Sequence, residues 1–168
     1  MQRNLSELGP VFAAGVVWAA FSLALGLRGE VPSGPVPWPR EHHYLAQAVF
    51  VLPWVSLMFV VYVRVASTLA RALGAASPDA ISRAALARAY GLPLLICYLA
   101  PEGVAYAVAG IGAVTAVARI AAPLLFFAVV IATTRAIASS ARLGTGRAAL
   151  ASIGATIAQA IVGGLALR

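Results

Sequence analysis

Residues 44–66, YLAQAVFVLPWVSLMFVVYVRVA, decide the fold class of this chain. The stretch holds one charged side chain, Arg64, and that residue lies near its end. A helix needs about 20 predominantly apolar residues to cross the hydrocarbon core of a bilayer, since each residue adds about 1.5 Å. These residues therefore predict a membrane-spanning helix.

The rest of the chain has the same character. Of its 168 residues, 62% are hydrophobic and only 10% are charged, whereas a soluble domain carries about 25% charged residues. A soluble chain of this length could not bury so much apolar surface in one core, because small domains keep a large surface-to-volume ratio. The composition indicates one integral membrane domain, residues 1–168.

Four further apolar stretches are separated by polar or glycine-containing segments. We predict an all-α, polytopic transmembrane helix bundle of about five spans, at residues 11–27, 44–66, 89–109, 117–138 and 148–167. Residues 89–118 are too long for one upright span and too short for two, so the third helix could be tilted. Gly110-Ile111-Gly112 is a plausible turn between the third and fourth spans.

The arginines predict the orientation, because cytoplasmic loops of membrane proteins carry an excess of basic residues. All twelve basic residues of the chain are arginines. With the N-terminus in the cytoplasm, four arginines lie on the far side, and eight lie on the cytoplasmic side: Arg3, Arg64, Arg71, Arg83, Arg88, Arg135, Arg142 and Arg147. This distribution predicts an N-in, C-out topology. The absence of lysine suits a GC-rich bacterium, and we expect the inner (cell) membrane.

Glu102 is the one acidic residue inside a predicted span. An intramembrane carboxylate is costly unless it is paired, protonated or hydrated, and so it marks a candidate functional site. Glu102 could be a proton relay or a cation site, or it could pair structurally with Arg119 or Arg135; the three residues form a candidate intramembrane polar site. A position facing lipid near an interface would remove support for transport, whereas a hydrated interior position would favour it.

Two further groups of residues are candidates for contact with other molecules. Arg64 and Arg71 share one helix face, and with Arg83 and Arg88 they form a candidate cytoplasmic collar for lipid phosphates or a partner protein. Small residues let helices in lipid approach each other, and polar ones bond across helices. The fifth span therefore offers a packing face, for this chain or for a homodimer, at Ser152, Thr156, Gln159, Ala160 and Gly164.

The sequence predicts no enzymatic activity and no cofactor. No phosphate-binding glycine loop and no nucleophile with a plausible base is present. Cys97 is a single cysteine, and the adjacent side chains of His42 and His43 point in different directions, which makes them a poor chelate. The arginines lie singly between apolar runs, so nucleic acid is not an expected partner. Membrane-interface anchors are expected at Trp18, Trp38, Tyr44 and Trp54.

Several short patterns occur in a characteristic order through the middle of the chain. They are HYL at 43–45, PW at 53–54, LARALG at 69–74, the segment 77–88, AYGLP at 89–93 and PE at 101–102. In this order they resemble the Yip1-like family of five-span membrane proteins, over roughly residues 43–167.

The resemblance implies a membrane-embedded five-helix bundle with a cytoplasmic N-terminus. Eukaryotic members of the family act in vesicle trafficking and bind small GTPases through partners and cytoplasmic regions. Only about ten residues precede the first predicted span here, too few for a cytoplasmic domain. The GTPase-binding role is therefore not carried over.

Three functions remain open. The first is a non-enzymatic membrane protein that organises or scaffolds other membrane components, with membrane lipids, other membrane proteins or a second copy of the chain as partners. The alternative is a small transporter or channel with Glu102 in a polar intramembrane cavity. The third is a lipid-handling protein whose arginine collar holds head groups.

Overall fold

The computed structural model describes residues 8–32, 36, 39–75 and 81–166, the last three of these for the backbone only. The helices are α1 (Gly9–Leu27), α2 (His43–Ala72), α3 (Arg83–Pro93), a π-helical segment (Leu94–Leu99), α4 (Ala100–Ala109), α5 (Ile111–Ala141) and α6 (Thr145–Ala166). The α3 helix, the π segment and α4 run on as one third span, Arg83–Ala109. Five helices are thus long and apolar enough to cross a membrane. The prediction of an all-α, five-span membrane protein is confirmed.

The third and fourth spans meet at a single residue. Gly110 has φ +74 and lies directly between α4 and α5, a conformation that glycine adopts without the steric penalty of a Cβ atom. Both helices extend beyond their predicted bounds, from Arg83 at one side and to Ala141 at the other. Residues 89–118 therefore belong to two helices, and each helix continues past its apolar stretch into polar residues.

The five spans close into a ring. Its order is α1, α2, α6, α5 and the third span, which packs back against α1. At the basic end of the ring α2 ends at Ala72, α3 begins at Arg83, and α5 is joined to α6. At the opposite end α1 ends at Leu27, α2 begins at His43, and α4 meets α5. Four prolines fall in the sequence between Leu27 and His43, and this end is called the proline-rich end below. The ring makes α2 a neighbour of α6, although the two helices are distant in sequence.

Small residues fill the contact between α2 and α6. Ala66 and Ala70 of α2 and Ala148, Ala151 and Ala155 of α6 have no exposed surface, and these two helices pack against each other. Small side chains allow helix backbones to approach in lipid, where the hydrophobic effect does not drive helix association. Large apolar side chains instead cover the outer surface of the bundle, as lipid requires.

Two prolines frame the irregular part of the third span. Pro93 and Pro101 lack the amide donor that an α-helix needs, and the π segment lies between them. There the amide of Ala100 bonds to the carbonyl of Leu95, five residues back. Such insertions occur often at functional sites. The segment carries Tyr98 and leads directly into the turn that carries Glu102.

Candidate functional site

A polar stripe follows the third span. Tyr90, Tyr98, Glu102 and Tyr106 recur at multiples of four residues, with Leu94 between the first two. Residues four apart lie above one another on a helix. Tyr90 and Glu102 are buried, and Tyr98 and Tyr106 are half-buried. Only Glu102 was identified from the sequence as a candidate, although the four-residue repeat could have indicated the tyrosines as well.

Glu102 lies inside the bundle, not on its lipid-facing surface. Its side chain is 6% exposed, and Tyr98 lies beside it, four residues earlier on the same span. Tyr44, at the start of α2, lies within electrostatic range of Glu102. The ring of Tyr98 in turn packs on Trp18 of α1, with centroids 5.7 Å apart. Glu102, Tyr98 and Tyr44 are called the Glu102 cluster below.

The structure does not bring the two candidate arginines to Glu102. Arg119 and Arg135 both lie exposed on α5, and neither contributes to the electrostatic environment of Glu102. Within the described part of the chain, no basic side chain forms an ion pair with Glu102. An intramembrane carboxyl group without such a partner is neutralised by a proton or by a bound cation.

The Glu102 cluster lies close to the proline-rich end. Glu102 precedes the last residue of α4, Ala109, by seven positions, or about 10 Å along the helix axis. At that end the Tyr106 hydroxyl donates to Glu30 Oε1 at 2.9 Å and accepts from Arg28 Nη1 at 3.2 Å. The contact with Tyr106, more than the nearby Glu30 carboxylate, raises the pKa of the Arg28 guanidinium. This network fastens the loop after α1 to α4.

A second polar group, the Tyr90 cluster, joins four helices inside the bundle. The Tyr62 hydroxyl of α2 donates to Thr133 Oγ1 of α5 at 2.5 Å. Gln159 Nε2 of α6 donates to the Tyr90 hydroxyl of α3. The rings of Tyr62 and Tyr90 lie 5.4 Å apart. We define the Tyr90 cluster as Tyr62, Tyr90, Thr133 and Gln159.

The predicted packing face of α6 is turned mainly toward the chain's own helices. Ser152 is fully buried and donates to the Val130 carbonyl of α5 at 3.1 Å. Thr156 is buried and donates to the Ser152 carbonyl at 2.9 Å. Ala160 is exposed, and the side-chain position of Gly164 lies outside the described residues. Ser152 and Thr156 therefore lie inside this bundle, and a homodimer face on α6 stays a prediction.

The predicted collar residues Arg64, Arg71, Arg83 and Arg88 are all exposed at the basic end. Three further arginines, Arg135, Arg142 and Arg147, are exposed at the same end. Only three of the arginines in the described ranges lie toward the proline-rich end: Arg28, Arg40 and Arg119. Arg3 and Arg168 fall outside the described residues.

A cavity of about 280 Å³ lies between α2, the third span, α5 and α6. Trp54, Tyr90, Phe126 and Gln159 are among the residues that line it. Trp54 is half-buried in this lining, and the half-buried Trp18 packs against Tyr98, so the expected role of both as interface anchors stays a prediction. Trp38 lies outside the described residues.

No protein-family model, no curated protein and no solved structure matches this chain.

Proposed function

We propose that this multi-pass membrane protein is a small carrier or channel for protons or monovalent cations, with Glu102 as the binding group. The observation that supports the proposal is the burial of Glu102 inside the bundle beside Tyr98, with no ion-pair partner in the described ranges. A buried carboxyl group that no arginine neutralises must bind a proton or a cation, and it can release what it binds.

Polar residues lie on the proline-rich side of Glu102. Glu30 and Tyr106 are hydrogen-bonded to each other there, and Tyr44 is within electrostatic range of both Glu30 and Glu102. In the other direction the stripe is interrupted by Leu94, which is buried. A carrier needs a site that is reachable from one side while it is closed to the other, and this arrangement fits that requirement.

Substitution of Glu102 by Gln tests the proposal. Gln keeps the size and the hydrogen-bonding capacity of the side chain toward Tyr98 but does not titrate. In liposomes that carry an internal pH-sensitive dye and an imposed membrane potential, we expect Glu102→Gln to lower proton or cation flux roughly tenfold or more. Gel filtration would show that the variant remains folded.

Glu41→Gln is the matched control for this experiment. Glu41 is an exposed carboxylate at the same end of the bundle, so its loss changes the charge but not the interior site. The control is expected to retain the flux of the parent chain. A parent chain without measurable flux, or equal flux in Glu102→Gln and the parent, would contradict the transport function.

A second candidate function is favoured by the charge distribution. The basic end carries seven exposed arginines and the proline-rich end three, counted over the described residues. By the positive-inside rule this difference supports an N-in orientation, with the collar on the cytoplasmic side and the inner membrane of a bacterium as its location. In this candidate the chain organises other membrane components through the collar, and the resemblance to Yip1-like proteins points the same way.

A single engineered cysteine tests both the orientation and the organising role. In a Cys97→Ala background, Ser139→Cys places an exposed thiol at the basic end, and Gly112→Cys places one at the proline-rich end. We expect a membrane-impermeant maleimide to label position 139 only from the cytoplasmic side and position 112 only from the other. A photo-crosslinker on position 139 should then capture a second membrane protein or a second copy in native membranes.

The reverse labelling pattern would contradict the N-in orientation. The organising function fails if the purified chain is strictly monomeric and the crosslinker at position 139 captures nothing.

A further inference from the structure

The cavity between α2, the third span, α5 and α6 has aromatic walls and a polar floor. Trp54 of α2, Tyr90 of α3 and Phe126 of α5 contribute rings to its lining, while Gln159 and Thr156 of α6 contribute polar groups. All of the residues that line it are uncharged. It is a different site from the Glu102 cluster, none of whose residues lines it.

The floor of the cavity keeps unused hydrogen-bonding capacity. A glutamine amide offers two donor hydrogens and a carbonyl acceptor, and within the described part of the chain Gln159 is bonded to Tyr90 alone. The Tyr90 hydroxyl accepts this bond and keeps its own hydrogen to donate. In the absence of water an unused polar group is costly. A ligand with hydrogen-bonding oxygens would satisfy both residues.

The cavity opens toward the bilayer between α5 and α6. Ala122 of α5 and Ala160 of α6 both line it, and both are exposed at the surface of the bundle. Their small side chains leave a lateral passage. A ligand with a polar head and an apolar tail could therefore place its head on Gln159 while the tail extends into the lipid.

We propose that this cavity binds the ring of a neutral membrane amphiphile, a flat ring with carbonyl oxygens on an apolar tail, which is the chemistry of a membrane quinone. Aromatic walls favour a flat ring, and the donors of Tyr90 and Gln159 match carbonyl oxygens. The uncharged lining excludes a phosphate head group. The volume of about 280 Å³ is near the lower limit for ligand pockets, which suits one ring and not a two-chain lipid.

Quenching of Trp54 fluorescence measures binding directly, because Trp54 lines the cavity. A variant with Trp18→Phe and Trp38→Phe keeps Trp54 as its only tryptophan. In nanodiscs, added decylubiquinone is expected to quench it saturably. In the same background Gln159→Leu should weaken the apparent affinity about tenfold, the effect of a lost hydrogen bond of about 1.5 kcal/mol.

A cavity-filling variant keeps the test decisive if Gln159→Leu fails to fold. A Cβ atom at Gly163 would lie 3.7 Å from Met58 Sδ and 3.9 Å from Trp54 Cζ2, which is ordinary contact. Gly163→Leu is therefore expected to fold, to occupy the cavity and to abolish saturable quenching. The matched control is Gly103→Leu, since a Cβ atom there meets nothing within 4 Å, and it should bind like the parent.

Two results would overturn the proposal. One is quenching that rises linearly with decylubiquinone and is equal in the parent and in Gly163→Leu, as random collisions in the bilayer would produce. The other is displacement of decylubiquinone by equimolar dodecanol, because the site would then recognise an aliphatic chain and not a carbonyl-bearing ring.

Discussion

Gly91→Ala is expected to destabilise the bundle by about 3 kcal/mol, the upper part of the usual range for overpacking. A Cβ atom on Gly91 would lie 2.5 Å from the carbonyl carbon of Pro10, 2.6 Å from its oxygen and 2.7 Å from the amide nitrogen of Val11. These are backbone atoms, which cannot rotate away as the end of a side chain can. The start of α1 must therefore separate from α3.

Unfolding in dodecyl sulfate, followed by circular dichroism in mixed micelles, would measure this effect. Gly103→Ala is the matched control on the same span, because its added Cβ atom meets nothing within 4 Å. Alanine is the better helix former by about 1 kcal/mol, so the control should be neutral or slightly stabilised. If both variants unfold at the same detergent fraction, the contact between Gly91 and Pro10 does not limit how closely α1 and α3 pack.

Tyr62→Ala is expected to destabilise the bundle by about 3 kcal/mol. Tyr62 has no exposed surface, and its ring lies 5.4 Å from that of Tyr90. Removal of a buried aromatic ring typically costs about 3–5 kcal/mol. We expect the low end of this range, because lipid is itself apolar and the transfer part of the effect is reduced. The same detergent unfolding assay measures the loss.

Tyr62→Phe separates packing from hydrogen bonding at this position. It keeps the ring and removes only the hydroxyl that donates to Thr133 Oγ1. Hydrogen bonds between membrane helices contribute about 0.6 kcal/mol on average, so Phe should be tolerated far better than Ala. Equal destabilisation by both substitutions would mean that the hydrogen bond, and not the ring, holds the centre of the bundle together.

The spans could be predicted from sequence because the bilayer imposes a minimum apolar length on each of them. Residues 44–66 indicated α2, and the glycines at 110 and 112 indicated the turn now seen at Gly110. The ends of the helices were less predictable. Polar residues such as Arg83 continue a helix beyond the hydrocarbon, where apolar composition no longer marks it.

The surroundings of Glu102 could be predicted only in part. Its position inside a span follows from the pattern of apolar residues, but its partner depends on how each helix is rotated about its axis. A structural pairing with Arg119 or Arg135 of α5 was one of the alternatives, and both arginines are exposed. Tyr98 of the same span lies beside Glu102 instead. Its spacing of four residues from Glu102 is a signal that the sequence does contain.

The ring order of the helices has a consequence for biogenesis. The first three spans can pair early, since α1 contacts both α2 and the third span. The Tyr90 hydroxyl, however, meets its Gln159 partner only on α6, the last of the described helices. A nascent chain that has not yet inserted residues 145–163 therefore exposes an unsatisfied hydroxyl and the alanine-lined side of α2 to lipid. Insertion of α6 therefore completes both the hydrogen bonding of Tyr90 and the packing of α2.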